Sequence, residues 1–184
     1  MRFAAIVVGM AILWPDAALA RPRPHPTPPP VPSTATPPIS LLTYQPREHD
    51  FSVGFPGAPT ASFKLLMDGR ERLYMDNEGD HLFMVTVTDF LFGAKSDQDA
   101  YDRRLRRFAE NAGATLVSSQ RLTWGAEQGC EGIFTTPQGN LVLVRMAVHR
   151  KRLYQAVFWG QGGAGGGDAP DGRKFMDSFR LTDK

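Results

Sequence analysis

The chain has 184 residues, a formal net charge of +2 and a hydrophobic fraction of 42%. Its 18 glycines and 15 prolines stay below the roughly 25–30% share that marks low-complexity chains, which excludes a collagen-like fibre and global disorder. A single cysteine excludes a disulfide scaffold, and the length suits one folded domain.

Residues 1–20, MRFAAIVVGMAILWPDAALA, have the three parts of a secretory signal peptide. Arg2 makes a short positive start, Phe3 to Trp14 form an uncharged apolar run, and Pro15-Asp16 break it. Ala18-Leu19-Ala20 then supplies the small-x-small pattern that signal peptidase reads, so cleavage is expected between Ala20 and Arg21. The apolar run is shorter than the roughly 20 residues of a spanning helix, and no integral membrane span is expected after cleavage. The product would be periplasmic or secreted. Residues 21–40 hold nine of the prolines, a composition that forbids helix and sheet and favours a polyproline II linker. Fully extended it would reach about 60 Å, at about 3.1 Å per residue.

Residues 41–184 carry the patterns of a single α+β domain. Phe51, Val53 and Phe55 alternate in a strand stopped by Pro56-Gly57. Ala61 to Met67 and Arg70 to Met75 predict a hairpin turning at Asp68-Gly69. His81 to Phe90 reads as a strand with Phe83, Val85 and Val87 on one face. A helix follows, capped by Ser96 with Asp99 three residues on, striped by Tyr101, Leu105, Phe108 and Ala112, and ended by Gly113. Thr115 to Trp124 and Gly129 to Thr136 read as strands. Asn140 to His149 is the strongest strand, hairpinned to Leu153 to Trp159 across Arg150-Lys151. Gly160 to Gly167 is a glycine-rich loop, followed by a short helix carrying Phe175 and Phe179 at i and i+4.

Motifs with chemistry are sparse. The glycine-rich loop lacks the Gly-Lys-Ser/Thr ending of a phosphate loop. Asp76-Asn77-Glu78-Gly79-Asp80 has a calcium loop's composition without its spacing, and reads as a hairpin turn. His25, His49, His81 and His149 are too scattered for zinc, and Cys130 reads as a small buried hydrophobe. No cofactor, metal or catalytic set is expected. The helix arginines Arg103, Arg104, Arg106 and Arg107 are matched by Asp97, Asp99, Asp102 and Glu110, with Asp99–Arg103 and Asp102–Arg106 as i,i+4 pairs. That balance argues against a nucleic acid partner.

Phe51-Ser52-Val53-x-Phe55-Pro56-Gly57, the Arg152-Leu153-Tyr154 strand entry and Lys174-Phe175-Met176-Asp177-Ser178-Phe179, in that order around one amphipathic helix, resemble the PsbP/Mog1-like superfamily over residues 44–183. The resemblance implies an α-β-α sandwich around an antiparallel sheet. It also implies a non-enzymatic assembly factor or protein-binding module. Two function classes follow. An envelope interaction module, binding another protein or a wall component, requires an exposed apolar patch or one-sided charge. A hydrolase or small-ligand binder requires Arg145, His149 and Trp159 in one concavity near the glycine-rich loop.

Overall fold

Val142, Val144, Met146 and Val148 alternate with Leu141, Leu143 and Ala147, all of them buried, so their strand must have a packed layer on each side. The computed structural model describes residues 39–48, 50–124, 126–161 and 170–182. The signal peptide with its Ala20–Arg21 cleavage site, the linker up to residue 38, His49 and residues 162–169 of the glycine-rich segment lie outside the described residues.

The elements run β1 (Leu42–Tyr44), β2 (Phe51–Phe55), β3 (Thr60–Leu66), β4 (Gly69–Glu78), β5 (His81–Phe90), α1 (Gln98–Ala112), β6 (Thr115–Trp124), β7 (Glu127–Thr135), β8 (Asn140–His149), β9 (Arg152–Gln161), α2 (Pro170–Ser178) and β10 (Arg180–Leu181). Seven strands form an antiparallel sheet in the order β3-β4-β5-β9-β8-β7-β6, and three form a small one, β1-β2-β10. The large sheet is thus two meanders, β3-β4-β5 and β6-β7-β8-β9, joined where β5 pairs with β9.

The architecture is the α+β class read from the sequence, with one helix on each face. Toward α1 the sheet presents Val142, Val144 and Met146 against Tyr101, Leu105 and Phe108. Toward α2 it presents Phe83, Tyr154 and Phe158 against Phe51, Phe55, Phe175 and Phe179. The Tyr101 hydroxyl fixes α1 to the sheet, donating to the Gln128 carbonyl at 2.8 Å and accepting from the Val148 amide at 3.0 Å. Gly69 at the β3–β4 turn is dictated by crowding, since a Cβ there would lie 2.1 Å from the Asp89 carbonyl oxygen. Gly113 ends α1 with φ 60°, a left-handed conformation that glycine adopts without strain.

Several expectations change. Asp97, not Ser96, caps α1, accepting the Ala100 amide at 2.8 Å; aspartate caps as well as serine and stands one residue closer to the first helical turn. The i,i+4 pairs do not close, because Arg103 lies 4.0 Å from the cap carboxylate of Asp97 and Asp102 accepts from the Gln98 side-chain Nε2. Phe179 lies one residue beyond α2 rather than within it. Strands β1 and β10, too short to show periodicity, are held by pairing with β2.

Phe179 is fully buried, stacked on Phe51 at 5.3 Å and 3° and touching the Trp124 ring at 4.3 Å. The Trp124 indole N–H donates to its carbonyl at 3.0 Å. Phe179→Ala is expected to lower unfolding free energy by about 3–5 kcal/mol, read as a lower urea midpoint; an unchanged midpoint would show this corner to be peripheral.

Candidate functional site

The two-residue turn at Arg150-Lys151 sets the register of β8 on β9. Both residues have positive φ, 48° and 66°, the conformation that a tight hairpin demands. The turn pairs His149 with Arg152, and therefore Arg145 with Ala156 and Val142 with Trp159. Paired residues share a face, so Trp159 packs with the α1-side cluster while Arg145 and His149 point to the α2 side. The three pocket candidates share no concavity. Arg145 and His149 also stand four residues apart along β8, and His149 contacts Glu127 there at 2.9 Å.

Arg145 instead joins a buried ion cluster. Its guanidinium donates to Glu131 at 2.8 and 3.0 Å and to the Met176 carbonyl at 2.7 Å, and it lies 5.6 Å from the Trp124 ring centre. Arg173 of α2 donates to the other Glu131 oxygen, and Asp177 lies 3.2 Å from Arg145. Glu131 is 1% exposed, so the cluster clamps α2 onto β7 and β8 rather than meeting a ligand. Burial pushes the Glu131 carboxyl up, but the hydrogen bonds from Arg145 and Arg173 outweigh it and hold the group below its ordinary value. Arg145 alone among the apolar residues 141–148, and Glu131 within the apolar stretch 129–134, were the sequence signal for this pairing.

A concavity does exist on the opposite face. Between α1 and the β4-β5-β9 part of the sheet runs a groove of about 730 Å³, open to solvent. Its floor includes Leu66, Phe90 and Leu153, and its α1 wall carries Arg103, Arg104 and Arg107. Glu71 lies on the sheet side, accepting from the Thr88 hydroxyl at 3.3 Å. Among the described residues no histidine, cysteine or serine lines it. The arrangement is suited to holding anionic and apolar groups.

At one end the groove opens beside an apolar corner. Met67 and Phe92 are exposed by 103% and 97%, with Leu91 at 73%. The Leu91 amide donates to the Asp68 carbonyl at 2.8 Å, bringing the β3–β4 turn against the loop after β5. The same loop is held at Ala94, whose amide donates to the Lys151 carbonyl at 2.8 Å. Single exposed apolar residues are ordinary, but three at one corner are a patch. Among the described residues no three His, Cys, Asp or Glu side chains gather as a metal site, and no helix is long and apolar enough to cross a membrane.

No family model matches the chain, and no curated protein sequence matches it. Among solved structures, the solution structure of cyanobacterial PsbP (CyanoP) from Synechocystis sp. PCC 6803 matches with a TM-score of 0.57 at 13% identity, over 78% of this chain and 93% of that one. A crystal structure from Bacteroides thetaiotaomicron VPI-5482 matches at a TM-score of 0.39 and 13% identity, over 73% of this chain and 46% of that one, a likeness too weak to carry an argument. The chain therefore has a PsbP-like fold.

Two measurements check the buried groups. Glu131→Gln leaves two arginines without their carboxylate and is expected to cost about 3–5 kcal/mol at neutral pH. Because the folded carboxyl titrates below its ordinary 4.5, its contribution is complete above that value and lost as pH falls through the lower, folded one. The urea midpoint of the unaltered protein should fall in that acid range, and the variant's profile should be flatter there. Burial pushes the Cys130 thiol up to about 12. A disulfide reagent at pH 8 should leave it unmodified in the native protein and react fully in urea.

Proposed function

We propose that this protein is a non-catalytic, exported cell-envelope domain of the PsbP/Mog1-like kind, carried on a proline-rich linker and working as a protein-interaction or assembly module. Its partner is another envelope protein. Export rests on the three-part pattern of residues 1–20 and the linker on the prolines of residues 21–40. The observation that carries the interaction is the corner formed by Met67, Leu91 and Phe92, where three large apolar side chains stand in water on two adjoining turns. Keeping such surface exposed costs solubility, and a partner that covers it recovers about 25 cal/mol for each Å² removed from water. The rival reading, a ligand pocket built by Arg145, His149 and Trp159, has no observation in its favour, since those side chains are divided between the two faces of the sheet.

Site-specific photocrosslinking in the intact envelope tests this. Crosslinkers at Met67 and Phe92 are expected to yield one discrete adduct, and the exposed Ser119 on β6 none. Met67→Asp with Phe92→Asp should abolish an adduct formed from Leu91. Absence of a discrete adduct, or equal labelling from all positions, would overturn the reading, as would retention of the protein in the cytoplasmic fraction.

A further inference from the structure

We infer that the groove between α1 and the open half of the sheet receives an acidic segment of the partner with large apolar side chains, an assignment that rests on the protein-binding reading above. Helix α1 with its cap Asp97 is neutral in sum, yet its charges are unevenly placed. At about 100° per residue, Arg103, Arg104 and Arg107 line the groove, whereas Asp102 and Arg106 fall on the far flank and Asp99 and Glu110 on the exposed crest between, outside the groove lining. The summed charge that argues against a polyanion therefore hides a one-sided wall of arginines.

Those cations are available. Arg107 and Lys95 make no ion pair among the described residues, and Arg103 has only the 4.0 Å approach of the exposed Asp97. Arg104 is held in place, its Nη1 donating to the Lys95 carbonyl at 2.8 Å and its guanidinium 5.8 Å from the Tyr101 ring centre. Against these four cations the lining sets only Asp68 and Glu71, leaving the groove net positive. Arginine forks pair carboxylates through two hydrogen bonds, and the floor of Leu66, Phe90 and Leu153 accepts apolar anchors. A cavity of about 730 Å³ holds a few side chains of an extended segment whose flanking residues then reach the corner of Met67 and Phe92. A lipid surface fits less well: the arginines line a concave wall instead of ringing the protruding tip, and Asp68 sits in that tip.

The test uses the full mature chain and fluorescent peptides of about 12 residues in which Glu alternates with Leu and Phe, with Lys-for-Glu and Ser-for-Leu/Phe versions, read by anisotropy. The acidic apolar peptide should bind tightest and weaken as salt rises. Arg103→Glu with Arg107→Glu should weaken it about tenfold, while Arg106→Glu on the far flank should leave it unchanged. Thermal melts confirm that each variant is folded, and Arg107→Ala, which adds no new charge, should shift binding in the same direction. Equal binding of the Lys peptide, or equal loss with Arg106→Glu, would overturn the inference. So would preferential binding to phosphatidylglycerol vesicles, which would assign the wall to lipid. If crosslinks from Met67 and Phe92 persist undiminished in the Arg103→Glu, Arg107→Glu protein, the interaction module stands and the acidic-segment groove falls; if no crosslink forms in any protein, the module itself falls.

Discussion

The pairing of β9 with β5 is the constraint on which the rest of the molecule depends. Eight residue pairs, from Leu82–Trp159 to Asp89–Arg152, join two meanders that are each local in sequence. Closing it orders the whole stretch between them, an entropic cost that grows slowly with loop length, and its reward is a sheet wide enough to carry a layer on each face. The open end of the pairing is sealed by Arg152, whose Nε donates to Asp89 at 2.6 Å, while Arg70 donates to the other oxygen at 3.0 Å.

Sheet width explains why a groove exists. Seven strands about 4.8 Å apart make a surface about 29 Å across, and a helix with its side chains is only about 10–12 Å wide. On the α2 face the deficit is filled, because β1, β2 and β10 lie beside the helix and contribute Phe51, Val53 and Phe55 to the core. On the other face α1 is packed toward β6, β7 and β8, and among the described residues no helix lies over β4 and β5. The groove is the part of the sheet left without a helix, and the arginines of α1 overlook it because that flank of the helix faces away from the core.

The Glu131 cluster shows a different use of charge. A carboxylate with 1% exposure is tolerable only when every oxygen is matched, and here Arg145 and Arg173 do so from β8 and α2. Breaking such a group is costly, although building it contributes little net stability compared with an apolar core. Its consequence is positional: α2 has one azimuth at which Arg173 meets Glu131 while Phe175 and Met176 enter the core.

Neighbouring residues encode the local elements. Period-two alternation in 51–55, 81–90 and 140–149, the stripe Tyr101-Leu105-Phe108 and the turn dipeptide Asp68-Gly69 each encode an element through neighbours a few residues apart, and these elements stand in the fold. The division of Arg145 from Trp159 was also legible, since a two-residue turn at Arg150-Lys151 dictates which face each partner takes. Other features were not. Strands β1 and β10 have no pattern of their own and exist because β2 offers them a ladder. Met67 and Phe92 lie 25 positions apart and become one corner only through the β4–β5 pairing and the Leu91–Asp68 hydrogen bond. The arginines of α1 cancel its acids in any count along the chain. Tertiary structure turned that neutral helix into a basic wall, because packing one stripe on the sheet leaves each flank facing a different environment.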